Sequence, residues 1–163
     1  MQKILISACL LGHNVRYDGN NCFSEHLTLK KWQKEGRIIS ICPEVSGGLP
    51  IPRIPAEIVG GNLTDVIHGK AQVIGKDGSD ISKQFILGAQ KTLELAIAHN
   101  IKLAILKKNS PSCGNLSIYD GSFSGKIIDG SGITAELLTC NGVRIFNESQ
   151  IDEADLFLKE IEK

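Results

Sequence analysis

The sequence has no surplus of either charge: eighteen Lys and Arg are balanced by eighteen Asp and Glu. A neutral chain generates no global field to draw it onto nucleic acid or an anionic lipid surface, which leaves only local patches for such partners. It also lacks an apolar run near the roughly 20 residues that a membrane span requires. The opening Met1-Gln2-Lys3-Ile4-Leu5-Ile6 goes straight into a strand-like run, with no room for the charged, apolar and cleavage regions of a signal peptide. These absences lead to the expectation of a cytoplasmic protein without membrane partners. There is no repeat of 20 to 50 residues and no low-complexity tract. A length of 163 residues suits one domain, residues 1–163, with enough chain to bury a core.

Also missing is any Cys-x-x-Cys pair, so the zinc-finger and thioredoxin signatures do not apply. The four histidines, His13, His26, His68 and His99, show no paired ligand spacing and are read as non-catalytic. What the chain does have is five cysteines, an odd number, in a compartment that disfavours structural disulfides. Their positions follow from the pattern of elements. Ile4 to Ala8 is a short apolar run that suits a strand buried on both faces and ends at Cys9. Ser24 to Lys34 reads as a helix capped by Ser24 and stopped at Gly36. Ile38 to Ile41 is a strand closed by Cys42-Pro43, since proline gives no ladder donor. Val45 to Ala56 reads as an ordered Gly/Pro loop, and Asp65 to Ile74 as a pair of short strands.

Asp80 to Asn100 is the clearest helix, with Ile81, Phe85, Ala89, Leu93 and Ala96-Ile97 in one stripe. Lys102 to Leu106 is the third buried strand, and Cys113 lies in the loop after it. Asn115 to Gly132 predicts a small flap-like hairpin with Ile118-Tyr119 and Ile127-Ile128 as its arms. Ile133, Leu137 and Cys140 predict a helix face, which assigns Cys140 to core packing. Val143 to Phe146 is a fourth strand, and Asn147 with Gln150 resembles a capping box before a final helix striped by Ile151, Ala154, Leu158 and Ile161. Strands alternating with helices imply an α/β three-layer sandwich, Rossmann-like, with a mainly parallel sheet. Ligands in such folds sit beyond the carboxyl ends of the strands.

Cys9, Cys42 and Cys113 all fall at that edge, with spacings Cys-x32-Cys and Cys-x70-Cys. Three thiolates there suit either zinc or an iron–sulfur cluster, and spacing alone does not choose between them. A cluster with three protein ligands leaves one iron open as a Lewis acid. Cys22 sits in a polar loop and is set aside with Cys140. Glu44, two residues from Cys42, is the general-base candidate, the alternative being a helix-start carboxylate. Ser110 and Ser112 flank Pro111 before Cys113; Ser110 is preferred for a proton-relay or hydrogen-bonding role, Ser112 for contact with the substrate. Arg16 and Asp18, in the loop after Cys9, either line the pocket or simply pair with each other. Arg53 is a similar case.

Taken together, several segments resemble the bacterial thiouracil desulfidase family, formerly a domain of unknown function. They are Ser7-Ala8-Cys9-Leu10-Leu11-Gly12 with Val15-Arg16-Tyr17-Asp18-Gly19; Cys42-Pro43-Glu44-Val45-Ser46-Gly47-Gly48-Leu49-Pro50 with Pro52-Arg53; Asn109-Ser110-Pro111-Ser112-Cys113-Gly114; and Ile118-Tyr119-Asp120-Gly121 followed by Gly132-Ile133-Thr134-Ala135. The resemblance runs from residue 7 to about residue 138. It implies a 4Fe–4S cluster on Cys9, Cys42 and Cys113, prone to loss or replacement in air, whose free iron takes the sulfur of 2-thiouracil or a related free thiolated nucleobase. Water activated by a base would then attack C2 and give uracil and sulfide without redox change. The partner implied is a small molecule, with nucleic acid disfavoured, and the chain a monomer or small homo-oligomer. Two rival readings stand beside it: a non-catalytic iron–sulfur sensor, and a metal-free nucleotide- or anion-binding α/β domain.

Overall fold

A computed structural model describes residues 1–163. Its centre is a parallel sheet of four strands: β1 (Ile4–Ser7), β2 (Ile38–Ile41), β5 (Leu103–Leu106) and β8 (Arg144–Asn147), in the order β2-β1-β5-β8. Ile4 pairs with Ile38, Leu5 with Ala104 and Leu103 with Arg144, all in parallel register. Every residue of β1 and β5 is buried, as strands covered on both faces must be. Alternation sorts their side chains between two cores. Ile4, Ile6, Leu103 and Ile105 pack with Leu29 and Trp32 of α1 (Leu27–Lys34) and with Ile151, Ala154 and Leu158 of α6 (Ile151–Ile161). Leu5, Ala104 and Leu106 face the other way, onto Ala96 of α4 (Ser82–Ala98) and Ala135 and Leu138 of α5 (Ile133–Cys140). The molecule is thus the expected three-layer α/β sandwich. No helix is long and apolar enough to cross a membrane.

A second unit flanks this sandwich. β3 (Ala56–Val59) and β4 (Gln72–Gly75) form an antiparallel pair joined by α3 (Leu63–Ile67). Their apolar side packs Ile58, Val66 and Val73 against Phe85 and Ala89 of α4. The sequence reading of two strands within 65–74 and a plain loop up to residue 56 needs correction here. Asn62 and Asp65 form a reciprocal capping box, each accepting the other's backbone N–H at 3.1 Å, and this starts a helix where strands were expected. The strand that pairs with β4 lies instead at the end of the supposed loop. The hairpin β6 (Ser117–Tyr119) and β7 (Ile127–Asp129) is as predicted.

Two caps also differ from expectation. His26, not Ser24, caps α1, its Nδ1 accepting from Thr28 N–H at 3.2 Å. Before α6, the Gln150 side chain accepts from Asn147 N–H at 3.2 Å, while Asn147 accepts from Ser149 rather than from Gln150. Cys140 is exposed, not core. The buried face of α5 runs through Ile133, Thr134, Ala135 and Leu138. Cys140, two positions beyond Leu138 and so about 200° around the helix, turns to solvent.

The short helix α2 (Pro43–Ser46) lies directly on α4. A Cβ on Gly47 would come within 2.0 Å of Gln84 O, and one on Gly88 within 2.0 Å of Pro43 O. Only glycine at both positions lets the two backbones meet, and that contact fixes the segment carrying Cys42 and Glu44.

Candidate functional site

The strand order reverses at β1, whose neighbours are β2 on one side and β5 on the other. Beyond these carboxyl ends opens a cavity of about 350 Å³. That is toward the low end of the roughly 300–1,000 Å³ typical of small-molecule sites. Cys9, in the turn after β1, Cys42, at the start of α2, and Cys113, in the loop after β5, all line it. The sequence placed the three thiols at one edge of the sheet, and the fold brings them to one cavity.

Burial pushes the Cys9 and Cys113 thiols up to about 12, and the neighbouring thiols add to the effect. Burial likewise raises Cys42. Their protein partners are weak: Ser7 Oγ donates to Cys113 Sγ at 3.7 Å, and Cys42 Sγ donates to the Val15 carbonyl at 3.8 Å. Ser7, which the sequence analysis did not single out, also accepts from Lys107 N–H at 3.1 Å and so ties the ends of β1 and β5 together.

These buried thiols set an expected pH response of the metal-free protein. In the unfolded chain a thiol ionises near 9, whereas folded Cys9 and Cys113 stay protonated to about 12. A thiol whose pKa is raised by folding stabilises the fold fully below the unfolded value and loses that contribution as pH rises through the window between the two. Metal-free protein is therefore expected to lose a few kcal/mol, in order of magnitude, between about pH 9 and 12. Urea midpoints measured across that range check this, and a Cys9→Ser/Cys113→Ser double variant should show a flatter profile.

The donor set fits a cluster. Three soft sulfurs line one cavity, and ligation by them requires only that their protons be displaced. No trio of His, Cys, Asp or Glu converges closely enough to hold a single metal ion.

Glu44 and Arg53 form the central ion pair. Arg53 Nε donates to Glu44 Oε2 at 2.7 Å, and Nη2 approaches the same oxygen. Arg53 Nη2 also reaches the Val15 carbonyl at 2.9 Å, and Nη1 the Pro50 carbonyl at 3.3 Å. Arg53 thus joins α2 to the loop after Cys9, a larger role than its sequence context suggested. Because both contacts fall on Oε2, Glu44 Oε1 carries no protein hydrogen bond.

Ser110 lines the cavity, and its Oγ accepts from the backbone N–H of Ser112 at 3.1 Å and of Cys113 at 2.8 Å. With both lone pairs engaged, its proton is left to donate. Arg16 lines the cavity too, its guanidinium 5.7 Å from the centroid of the Tyr17 ring. Asp18 and Ser112 do not reach the cavity wall. Asp18 lies 3.9 Å from Arg16 and accepts from Asn20 N–H at 3.0 Å. Ser112 is buried, its hydroxyl 3.0 Å from that of Thr134. The sequence analysis missed Glu57 and Phe123, which line the same cavity, and left Tyr119, which lines it too, without a role.

The chain is 44% identical over 150 residues to the uncharacterized protein YbbK of Bacillus subtilis (strain 168), covering 92% of this chain and 98% of that protein. It superposes with a TM-score of 0.90 and 42% identity on the [4Fe-4S]-dependent thiouracil desulfidase TudS (DUF523Vcz), covering 98% of this chain and 99% of that one. The family model for 2-thiouracil desulfurase matches residues 4–150, and the chain belongs to that family.

Proposed function

We propose that residues 1–163 form one cytoplasmic desulfidase domain that converts 2-thiouracil, or a related free thiolated nucleobase, to the oxygen analogue. Overall, a thiocarbonyl and water give a carbonyl and hydrogen sulfide, and the carbon keeps its oxidation state. The partner is a small molecule, and the chain acts as a monomer or small homo-oligomer. The observation that carries this reading is the meeting of Cys9, Cys42 and Cys113 on one cavity with the Glu44 carboxylate beside them. Its kinship with the thiouracil desulfidase TudS supports the same reading.

Cys9, Cys42 and Cys113 would hold a 4Fe–4S cluster, which when bound supplies a soft Lewis acid for the thiocarbonyl sulfur at the iron no protein thiolate occupies. The remaining work falls to the chain. Glu44 accepts a proton from the water that attacks C2, using the oxygen that Arg53 leaves free. Ser110 donates its remaining proton toward the reacting base. Arg16 contacts the base at the cavity wall. Asp18 and Ser112, proposed from sequence as substrate contacts, act from behind it, Asp18 beside Arg16 and Ser112 within the Cys113 loop.

The test is to reconstitute the protein without oxygen, add 2-thiouracil and measure iron, sulfide and uracil together. About four irons per chain are expected, with uracil and sulfide released in equal amounts beyond the protein concentration. Iron retained without uracil would sink the desulfidase reading and leave an iron–sulfur protein of another kind.

A further inference from the structure

Glu57 stands on β3, away from every cysteine loop, yet it lines the same cavity. It is only 8% exposed. A carboxylate so buried needs compensating donors. It finds them in two backbone amides: Gly121 N–H donates to Oε1 at 2.9 Å and Phe123 N–H at 3.2 Å. Both fall on one oxygen. The only buried side-chain oxygen without a partner is Asp155 Oδ1, so Glu57 Oε2, which accepts nothing, is open. On a residue this buried, the opening is into the cavity it lines.

The amides belong to the tip of the β6–β7 hairpin. Within that tip Asp120 N–H donates to the Lys126 carbonyl at 3.0 Å, and Ser122 N–H to Asp120 Oδ1 at 2.9 Å. β7 is exposed along its whole length. From 121 to 125, the bonds to Glu57 are the only hydrogen bonds to the body of the protein. The approach is close: Gly121 has φ +91°, and a Cβ there would stand 2.7 Å from Ile58 O. Phe123 sits at φ +57°, a conformation that an aromatic residue seldom adopts, and it lines the cavity with Tyr119.

We infer that Glu57 reads the substrate with divided oxygens: Oε1 latches the 120–126 tip beside the cavity, and Oε2 accepts a ring N–H of the thionucleobase. The second half rests on the desulfidase reading above. 2-Thiouracil carries an N–H on each side of its thiocarbonyl carbon, and a carboxylate oxygen is a charge-assisted acceptor for one of them. A methyl group on that nitrogen removes the donor and leaves a buried carboxylate oxygen unpaired, the arrangement that discriminates most strongly.

The test uses reconstituted protein with 2-thiouracil and its 1-methyl and 3-methyl derivatives. Wild type should use one methyl isomer at least about tenfold less well than the parent. Equal use of all three overturns the acceptor role without any variant. Glu57→Gln keeps an oxygen for the latch and puts an amide N–H₂ where the open oxygen was. It should hold iron normally, raise KM for 2-thiouracil roughly ten- to hundredfold with kcat nearly unchanged, and lose the discrimination between isomers. Unchanged KM with intact discrimination overturns the inference, and so does a fall in kcat alone, which would make Glu57 the proton acceptor. Hydrogen exchange tests the latch independently of turnover: 120–126 should exchange faster in Glu57→Ala and not in Glu57→Gln, and equal protection in both overturns it. Wild-type protein that neither binds nor converts 2-thiouracil sinks the desulfidase reading itself, and the acceptor role with it, while the exchange result stands apart.

Discussion

Serine in place of Cys9, Cys42 or Cys113 is expected to reduce both iron retention and uracil release to background. The substitution is nearly isosteric, so the fold should survive; what changes is the donor. A serine hydroxyl is harder than a thiol and stays protonated at neutral pH, whereas iron in a cluster takes thiolate. Altering a group one step removed from a metal typically costs about 10–100-fold, and losing a ligand costs more. Iron and sulfide assays on protein prepared without oxygen give the readout, with far-UV circular dichroism to confirm the sheet. Cys22→Ser and Cys140→Ser are the controls. Cys140 is exposed at the end of α5, and Cys22 does not line the cavity, although its backbone N–H bonds to the Cys9 carbonyl at 2.9 Å. Both variants should keep their iron. Loss from either would mean the ligand set has been drawn wrongly.

Glu44→Gln is expected to lower uracil release by about 10²–10⁴-fold, the usual contribution of a positioned general base, or roughly 3–5 kcal/mol of barrier. The amide oxygen still accepts from Arg53, so the link from α2 to the loop after Cys9 should persist and iron content should hold. The amide does not take a proton at neutral pH. A positive Arg53 facing a neutral partner does lose stability, because its side chain is only 7% exposed. The thermal midpoint therefore has to be measured beside kcat. A fall in kcat with iron intact assigns the proton to Glu44. Full activity moves the base elsewhere, and loss of iron makes the residue a brace for the Cys42 segment.

The sheet was legible because its strands are brief apolar runs with clear stops. Ile4 to Ile6 and Leu103 to Leu106 lie at the centre, buried on both faces, and Pro43 ends Ile38 to Ile41. Cys9, Cys42 and Cys113 could be placed at one edge because each follows such a run. The β3–β4 pair was hidden by a charged residue. Glu57 interrupts Ala56-Glu57-Ile58-Val59, and only the distant amides of Gly121 and Phe123 make that position tolerable. The same long-range dependence explains why Glu57 drew no notice as a site residue: nothing near it in sequence carries chemistry. Asp18 and Ser112 present the opposite case. Proximity to a cysteine in sequence says how near a backbone lies and nothing of where its side chain points; Asp18, bonded to Asn20, and Ser112, bonded to Thr134, lie outside the cavity lining.

The three thiols hang from the ends of three different strands, separated by long stretches of chain. No fragment of the fold carries the whole set, and none of its short-range turns brings two together. They become neighbours only when β2 and β5 have both docked on β1. A nascent or misregistered chain thus presents its sulfur donors apart from one another. On the proposed ligand set, cofactor loading works as an inspection step. It succeeds on molecules whose central array is complete, and the binding energy deepens the native state at the moment of inspection. The loaded fraction of a preparation should track the fraction of correctly assembled sheets, which makes the cofactor's own absorbance a gauge of folding quality.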